Sequence, residues 1–281
     1  MSLGNQDKES MNQAGVRVNK YLSSLGICSR RDADAMVEAG RVTINGEPAV
    51  NGSRVMSGDQ VSVDDKPVDT KKPRQVYIAL NKPVGIVSTT DSREPDNIVD
   101  FMSYPERIFP IGRLDKDSDG LILLTNDGDI VNYLLRARYH HEKEYEVIVD
   151  KKITPDFLKG MSEPVPILGT MTEPSKIHKI DDYRFRIILT QGLNRQIRRM
   201  CEYFGYEVIR LTRWRIMNVT LGNLRQGEWR YITAKEMEQL RSLLTERVNA
   251  VDSQTEKSPE ALKRIAELDQ ETREAEIFDG E

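Results

Sequence analysis

The chain predicts an α+β protein of two parts: a small helical module at the N-terminus, then a larger domain on a mixed, largely antiparallel sheet. Three observations predict this. Between residues 16 and 65, two short stretches of helically spaced apolar residues run directly into a hairpin signal. From residue 76 onward, strand-like runs alternate with a few helical ones, without the regular strand and helix succession of a parallel sheet. Between the two parts, residues 66–75 are rich in Lys, Pro and Asp and read as a linker.

In the first part, Val18, Tyr21, Leu22 and Leu25 recur at helical spacing and Gly26 stops the helix. Ser29-Arg30-Arg31-Asp32 is a capping-box pattern that opens a second helix, with Ala33, Met36 and Val37 facing inward and Gly40 as the stop. Val42-Thr43-Ile44 then meets Asn45-Gly46, the strongest short hairpin signal. Val61-Ser62-Val63 follows Gly58-Asp59 as a further strand. In the second part (76–245), strands are expected from Val76 and at 121–124, 145–149, 184–189 and 207–211, and helices at 130–135, 155–161, 195–204 and 234–244. Residues 1–15 are polar and expected to be disordered. Residues 246–281 form a charged tail, and the helical propensity around Leu262, Ile265 and Leu268 is too short-ranged to hold an isolated helix firmly.

Composition narrows the function classes. Apolar residues make up 38% of the chain without a run long enough to span a bilayer, so a soluble protein is expected, with no membrane partner. Cys28 and Cys201 lack a companion at ligand spacing, which argues against a zinc site or a disulfide framework and fits a reducing cytoplasm. His140, His141 and His178 read as surface residues rather than ligands. The net charge of −4 is unevenly spread: residues 246–281 hold eleven acidic against five basic residues, leaving +2 on residues 1–245. Arg184, Arg186, Arg195, Arg198, Arg199, Arg210, Arg213 and Arg215 cluster within thirty-two residues, interleaved with Tyr203, Phe204, Tyr206 and Trp214. A surface that neutralises phosphates and stacks bases has this composition; the blander alternative is a solvated helix face over core aromatics.

The stretch from Gly112 to Gly128 is the most informative. It sets Asp115 on a glycine-flanked loop, two residues after Arg113 and just before the apolar run Leu121-Ile122-Leu123-Leu124. Asp115, Asp117, Asp119 and Gly120 match the opening of a calcium loop. The match then fails, because its twelfth position is Asn126 instead of Glu and Pro110 and Gly112 forbid an entering helix. A solvated acidic turn between strands is the remaining local alternative.

The loop does not stand alone. Leu80-Asn81-Lys82-Pro83-Val84-Gly85, Gly112-Arg113-Leu114-Asp115, Glu142-Lys143-Glu144-Tyr145, Gly192-Leu193-Asn194-Arg195-Gln196-Ile197-Arg198-Arg199-Met200 and Arg213 to Val219 occur in this order. Together they resemble the ribosomal RNA pseudouridine synthases of the RsuA family, over about residues 16–245. Asn97-Ile98-Val99-Asp100-Phe101 and Arg215-Ile216-Met217-Asn218-Val219 look most like the RluF type. The N-terminal module resembles an S4-like RNA-binding domain, with Arg17, Lys20, Arg30 and Arg31 as its phosphate contacts.

The resemblance implies the pseudouridine synthase fold with RNA in a cleft across the sheet, and isomerisation of a uridine in large-subunit rRNA, with a tRNA uridine as a possible side substrate. It implies Asp115 as the nucleophile, Arg198 as the cation that keeps it ionised, and Tyr145 as the ring stacked on uracil and the base. Arg113 becomes the wedge that fills the gap left by a flipped uridine. Leu211 becomes an apolar pocket wall, and Asn194, Arg195, Gln196, Arg199, Arg213 and Arg215 become RNA contacts. No electrons are exchanged in the reaction, so no cofactor and no metal are expected, and the working unit is expected to be a cytoplasmic monomer. The rivals are a synthase for another rRNA site (RluB, RluE or RsuA type) and a non-catalytic RNA-binding or ribosome-assembly factor; intact Asp115, Tyr145 and Arg198 weigh against the latter.

Overall fold

A computed structural model describes residues 15–135 and 140–252. The readings for residues 1–14 and 253–281 fall outside the described residues. The chain divides after residue 75 into two compact units, with residues 105–107 grouped with the first.

The first unit carries helices α1 (Val18–Ser24) and α2 (Arg30–Glu38) and six short strands: β1 (Val16–Arg17), β2 (Val42–Ile44), β3 (Glu47–Pro48), β4 (Arg54–Val55), β5 (Val61–Val63) and β6 (Lys66–Pro67). The capping box forms as the sequence predicts. The Ser29 hydroxyl accepts from the Asp32 amide at 3.1 Å, and the Asp32 carboxylate accepts from the Ser29 amide at 3.2 Å. Asn45 and Gly46 both take positive φ (54° and 85°), as a two-residue hairpin turn needs. Four of the strands pair in the order β3-β2-β5-β6, so Lys66 and Pro67 belong to this sheet and not to a linker. Its core is Val18, Leu22, Cys28, Ala33, Val37, Val42, Ala49, Val55 and Val61.

The second unit is built on a nine-stranded sheet. Its path runs β13 (Lys176–Lys179), β14 (Arg184–Leu189), β10 (Lys143–Val149), β15 (Val208–Ile216), β9 (Asp119–Thr125), β7 (Tyr77–Lys82) and β17 (Trp229–Tyr231). β8 (Phe109–Ile111) adds to β9 and β16 (Val219–Thr220) to β15, while β11 (Pro166–Ile167) and β12 (Thr170–Met171) form a separate hairpin. Every named pairing is antiparallel except β9 with β15, so the expected mixed sheet is present. Helices α3 (Ile98–Met102), α4 (Gly128–Leu135), α5 (Pro155–Ser162), α6 (Gln196–Tyr203) and α7 (Ala234–Asp252) complete the unit.

β9 explains why its sequence reads as an unbroken apolar run. All seven residues are buried, and alternate side chains enter different clusters: Leu121 and Leu123 pack with Ile130, Met237 and Leu240, while Ile122 and Leu124 pack with Ile78, Leu80 and Ile98. Each such burial contributes roughly 1.5–3 kcal/mol. β15 runs to Ile216, five residues past its expected end. The arginines of 207–216 disguised it, because a buried arginine looks polar in sequence whatever holds it. His141, expected on the surface, is buried and pairs through Nε2 with the Tyr133 carbonyl at 2.9 Å. No helix among the described residues is long and apolar enough to cross a membrane.

Candidate functional site

The loop bearing Asp115 leads into β9 at its parallel joint with β15, where Asp119 lies opposite Thr212 and Gly120 opposite Arg213. Leu114 anchors it. Its side chain is buried with Ile78, Ile98 and Ile122, and both its backbone polar groups meet one hydroxyl: Ser88 Oγ donates to the Leu114 carbonyl at 2.8 Å and accepts from its amide at 3.1 Å. One residue beyond Asp115, the Lys116 carbonyl accepts from the Gly85 amide at 2.7 Å. From β15, Arg213 Nε donates to the Leu121 carbonyl at 2.6 Å and Nη1 to the Arg113 carbonyl at 3.2 Å. Asp115 is thus held by backbone bonds on both sides while its own side chain stays about one-third exposed. It lines a cleft of about 400 Å³ with Val84, Ser88, Arg113, Asp117 and Arg195.

The three alternating carboxylates have three different surroundings. Asp115 has Arg195 Nη1 at 3.9 Å. Asp117 takes a two-pronged pair from Arg195 at 3.0 and 2.9 Å, and that guanidinium holds its carboxyl below the usual carboxylate range. Asp119 is buried and accepts from Arg210 at 3.1 and 2.8 Å, from Thr212 Oγ1, and from Gln226 Nε2 at 2.7 Å. Three carboxylates aimed at guanidinium groups do not converge on a cation. Among the described residues no group of His, Cys, Asp and Glu is placed to hold one. Cys201 is buried, and burial pushes its thiol up to about 12, far from nucleophile chemistry.

Arg198 meets Asp117 and not Asp115. Its Nη2 donates to the Asp117 carbonyl at 2.8 Å and its Nη1 to the Val208 carbonyl at 3.1 Å, while Nε lies 3.5 Å from the Asp117 carboxylate. The cation beside Asp115 is Arg195, at the N-cap of α6 with a left-handed backbone (φ 51°) that turns it toward the loop. Tyr145 is on β10, across from Arg213, and its ring packs against the cluster that contains Leu114. Its hydroxyl has no hydrogen bond among the described residues, so it is available to a ligand. Arg113 is exposed at the cleft.

Several of the residues expected as RNA contacts make bonds or packing contacts within the fold. Leu211 is buried with Val147, Ile187 and Ile197, because strand alternation puts it on the helix-covered face of β15. Arg213 is 3% exposed and donates from Nε and Nη1 to two carbonyls, while its buried Nη2 has no hydrogen-bond partner among the described residues. Arg215 is paired with Glu144 at 2.9 Å and Glu142 at 3.2 Å. Gln196 is buried and closes its own turn by accepting from the Leu193 amide at 3.0 Å. Arg199 donates to Asn194 at 3.1 and 3.3 Å, fastening the same turn. In the first unit Arg17, Arg30 and Arg31 are exposed and Lys20 is half-buried.

Sequence reasoning passed over Ser88 and gave Lys82 no role. Nothing local marks Ser88, whose partner is twenty-six residues away. Lys82 is fully buried and donates to the Pro83 and Ile86 carbonyls at 2.9 Å each. Burial draws its pKa down to about 8, opposed by the nearby Asp119, Asp115 and Asp117. Its place in Asn81-Lys82-Pro83 was the available signal.

Residues 76–203 match the family described as RNA pseudouridylate synthase, and residues 16–61 match the S4 domain. A relative from Salmonella typhi named dual-specificity RNA pseudouridine synthase RluF is 55% identical over 235 residues, 83% of this chain and 81% of the relative. The protein of the same name from Escherichia coli (strain K12) is 53% identical over 247 residues, 88% and 85% of the two chains. Ribosomal large subunit pseudouridine synthase B of Bacillus subtilis (strain 168) is 34% identical over 83% of this chain and 99% of its own. A crystal structure of a pseudouridylate synthase superposes with a TM-score of 0.59 at 30% identity, covering 80% of this chain and all of that one.

Proposed function

We infer, from the premise that the chain belongs to the RNA pseudouridylate synthase family and is an isomerase, that its substrate is one uridine in the peptidyl-transferase region of large-subunit (23S) rRNA. The observation that carries the chemistry is Asp115, partly exposed on a backbone-pinned loop in a cleft, with an arginine at 3.9 Å and Arg113 on the same loop; the large-subunit target is supported by the name of the Bacillus subtilis relative. Asp115 attacks the ribose carbon that bears the base, the bond from that carbon to the ring nitrogen breaks, and the uracil turns. A ring carbon then bonds to the ribose carbon and displaces the Asp115 carboxylate, which is regenerated; that ring carbon gives up its proton to the Tyr145 oxygen as the hydroxyl releases its own to solvent, and the freed nitrogen takes one up. Arg195 sets a positive charge 3.9 Å from the Asp115 carboxylate, and Arg113 fills the place of the flipped nucleotide. The name "dual-specificity" carried by the two RluF relatives supports a second RNA substrate, which we take to be a tRNA uridine. The enzyme works as a cytoplasmic monomer. Mapping pseudouridines in cellular RNA with and without the gene tests the reading: one rRNA position must lose its modification.

Activity is expected to survive EDTA without any added cofactor, since the chemistry is carried by side chains. Inactivation that calcium or magnesium reverses, with the RNA shown to remain folded, would revive a metal-dependent mechanism.

The first unit supplies sequence-independent affinity through Arg17, Lys20, Arg30 and Arg31. Replacing all four by Gln is expected to weaken binding to structured RNA and to flatten the salt dependence by ~0.7–0.9 in log–log slope for each phosphate no longer neutralised. An unchanged slope would remove this face from the interface.

A further inference from the structure

A second cleft, of about 640 Å³, adjoins the first and shares Val84 and Asp117 with it. Its remaining wall is Asp119, Arg198, Ile209, Arg210 and Gln226. We propose that this cleft holds the nucleotide next to the target uridine on the same RNA strand, a reading that rests on the first cleft being the isomerisation site.

The wall is a prearranged polar surface. Asp119 is 1% exposed, and an ion so deeply buried is tolerable only when its lone pairs are filled. The groups that fill them are Arg210, Thr212 and Gln226, so the carboxylate fixes two cleft side chains in place. Both Arg210 and Gln226 keep capacity for a ligand. Arg210 uses Nε and Nη2 on Asp119, and its Nη1 has no partner among the described residues. Gln226 donates from Nε2, which leaves its carboxamide oxygen to accept. Arg198 Nε–H is buried and makes no hydrogen bond among the described residues, though it lies 3.5 Å from the Asp117 carboxylate. Around Asp117 and Asp119 stand three guanidinium groups, Arg195, Arg198 and Arg210. On the wall of this cleft Arg198 and Arg210 balance Asp117 and Asp119, so what a phosphate meets there is the free N–H of Arg210 and not a net charge. Ile209 is the odd member, an aliphatic side chain 61% exposed on this charged wall.

A cation for a phosphate, an apolar surface for a base face and a fixed amide for a base edge match the three things one nucleotide presents. The larger cleft has room for it if the smaller one receives the flipped uridine. Arg210 is therefore a phosphate contact, Ile209 the surface under the neighbouring base, and Gln226 the group that meets its edge.

The test is a binding cycle on the full-length chain, read without turnover. The probe is a nine-nucleotide single-stranded RNA with one central uridine, in which one phosphate at a time is replaced by an uncharged methylphosphonate. At low salt, neutralising one of the two phosphates flanking the uridine is expected to weaken wild-type binding about tenfold, the scale of one charge-assisted hydrogen bond. Arg210→Gln is expected to do the same, and the two changes together to cost no more than either alone. Arg210→Lys keeps a partner for Asp119 while removing the fork, so it separates phosphate binding from folding and is expected to show the same lack of additivity. Ile209→Ala, at an exposed position, is expected to be silent toward an RNA that lacks the neighbouring base and to weaken binding of the intact one. Effects that add at every phosphate, or that are equal at all positions, would overturn the proposal. Coupling in a protein that makes no pseudouridine in the mapping experiment would keep a nucleotide site and remove the isomerase reading. Pseudouridine formation with additive effects would do the reverse.

Discussion

Asp115→Asn is expected to lower isomerisation roughly 10⁴-fold or more, the scale of removing a covalent nucleophile, while RNA affinity stays within a few-fold. The substitution keeps the shape of the side chain and removes its charge. Leu114 and Lys116 hold the loop through backbone bonds to Ser88 and Gly85, so the amide would occupy the same place. Arg195 already spends its fork on Asp117 and meets Asp115 only at 3.9 Å, so the framework does not depend on the missing charge. Affinity for substrate RNA would change little because phosphate contacts, and not Asp115, supply it. The measurement is single-turnover conversion of the mapped RNA by the purified variant beside equilibrium binding of the same RNA. Turnover at the wild-type rate would take Asp115 out of the mechanism.

Local signals were legible and long-range pairing was not. The capping box at Ser29 and the turn at Asn45-Gly46 are decided within a few residues, and both form as the sequence predicts. The apolar run of β9 announced a strand buried on both faces. Within the arginine cluster burial was not legible, because charge suggests solvent while the acceptors that make burial tolerable lie far off in sequence. Arg213 reaches the carbonyls of Leu121 and Arg113, and Arg215 reaches Glu142 and Glu144. Asp115 was legible from its loop and the family resemblance, but its cation was not. Arg195 and Arg198 are three residues apart at the start of α6, and the left-handed backbone at Arg195 decides which approaches Asp115. The second cleft was invisible for the same reason, since Asp119, Arg210 and Gln226 meet only once β9 and β15 are paired.

That pairing depends on Gly120, and Gly120→Ala is expected to destabilise the second unit by about 2–6 kcal/mol. Two costs combine. A Cβ at this position would overlap the Arg213 carbonyl oxygen and lie 2.6 Å from its amide nitrogen, and both are backbone atoms that cannot rotate away. The residue also sits at φ 101°, a conformation that side-chain-bearing residues rarely adopt. Backbone strain of this kind costs roughly 1–3 kcal/mol and overpacking roughly another 1–3. Opening the joint would also carry Arg213 away from the Arg113 carbonyl and Thr212 from Asp119, loosening the loop that aims Asp115. The variant should therefore turn over more slowly even at temperatures where it remains folded, as small misplacements of catalytic groups are costly. Gly192→Ala is the control, because a Cβ there meets nothing within 4 Å and its φ is not in the strained range. Thermal unfolding followed by circular dichroism should place Gly120→Ala about 5–15 °C below wild type and Gly192→Ala beside it. If the two variants melt together, β9 and β15 do not approach closely enough to require a glycine, and the account of how the Asp115 loop is held in place fails with them.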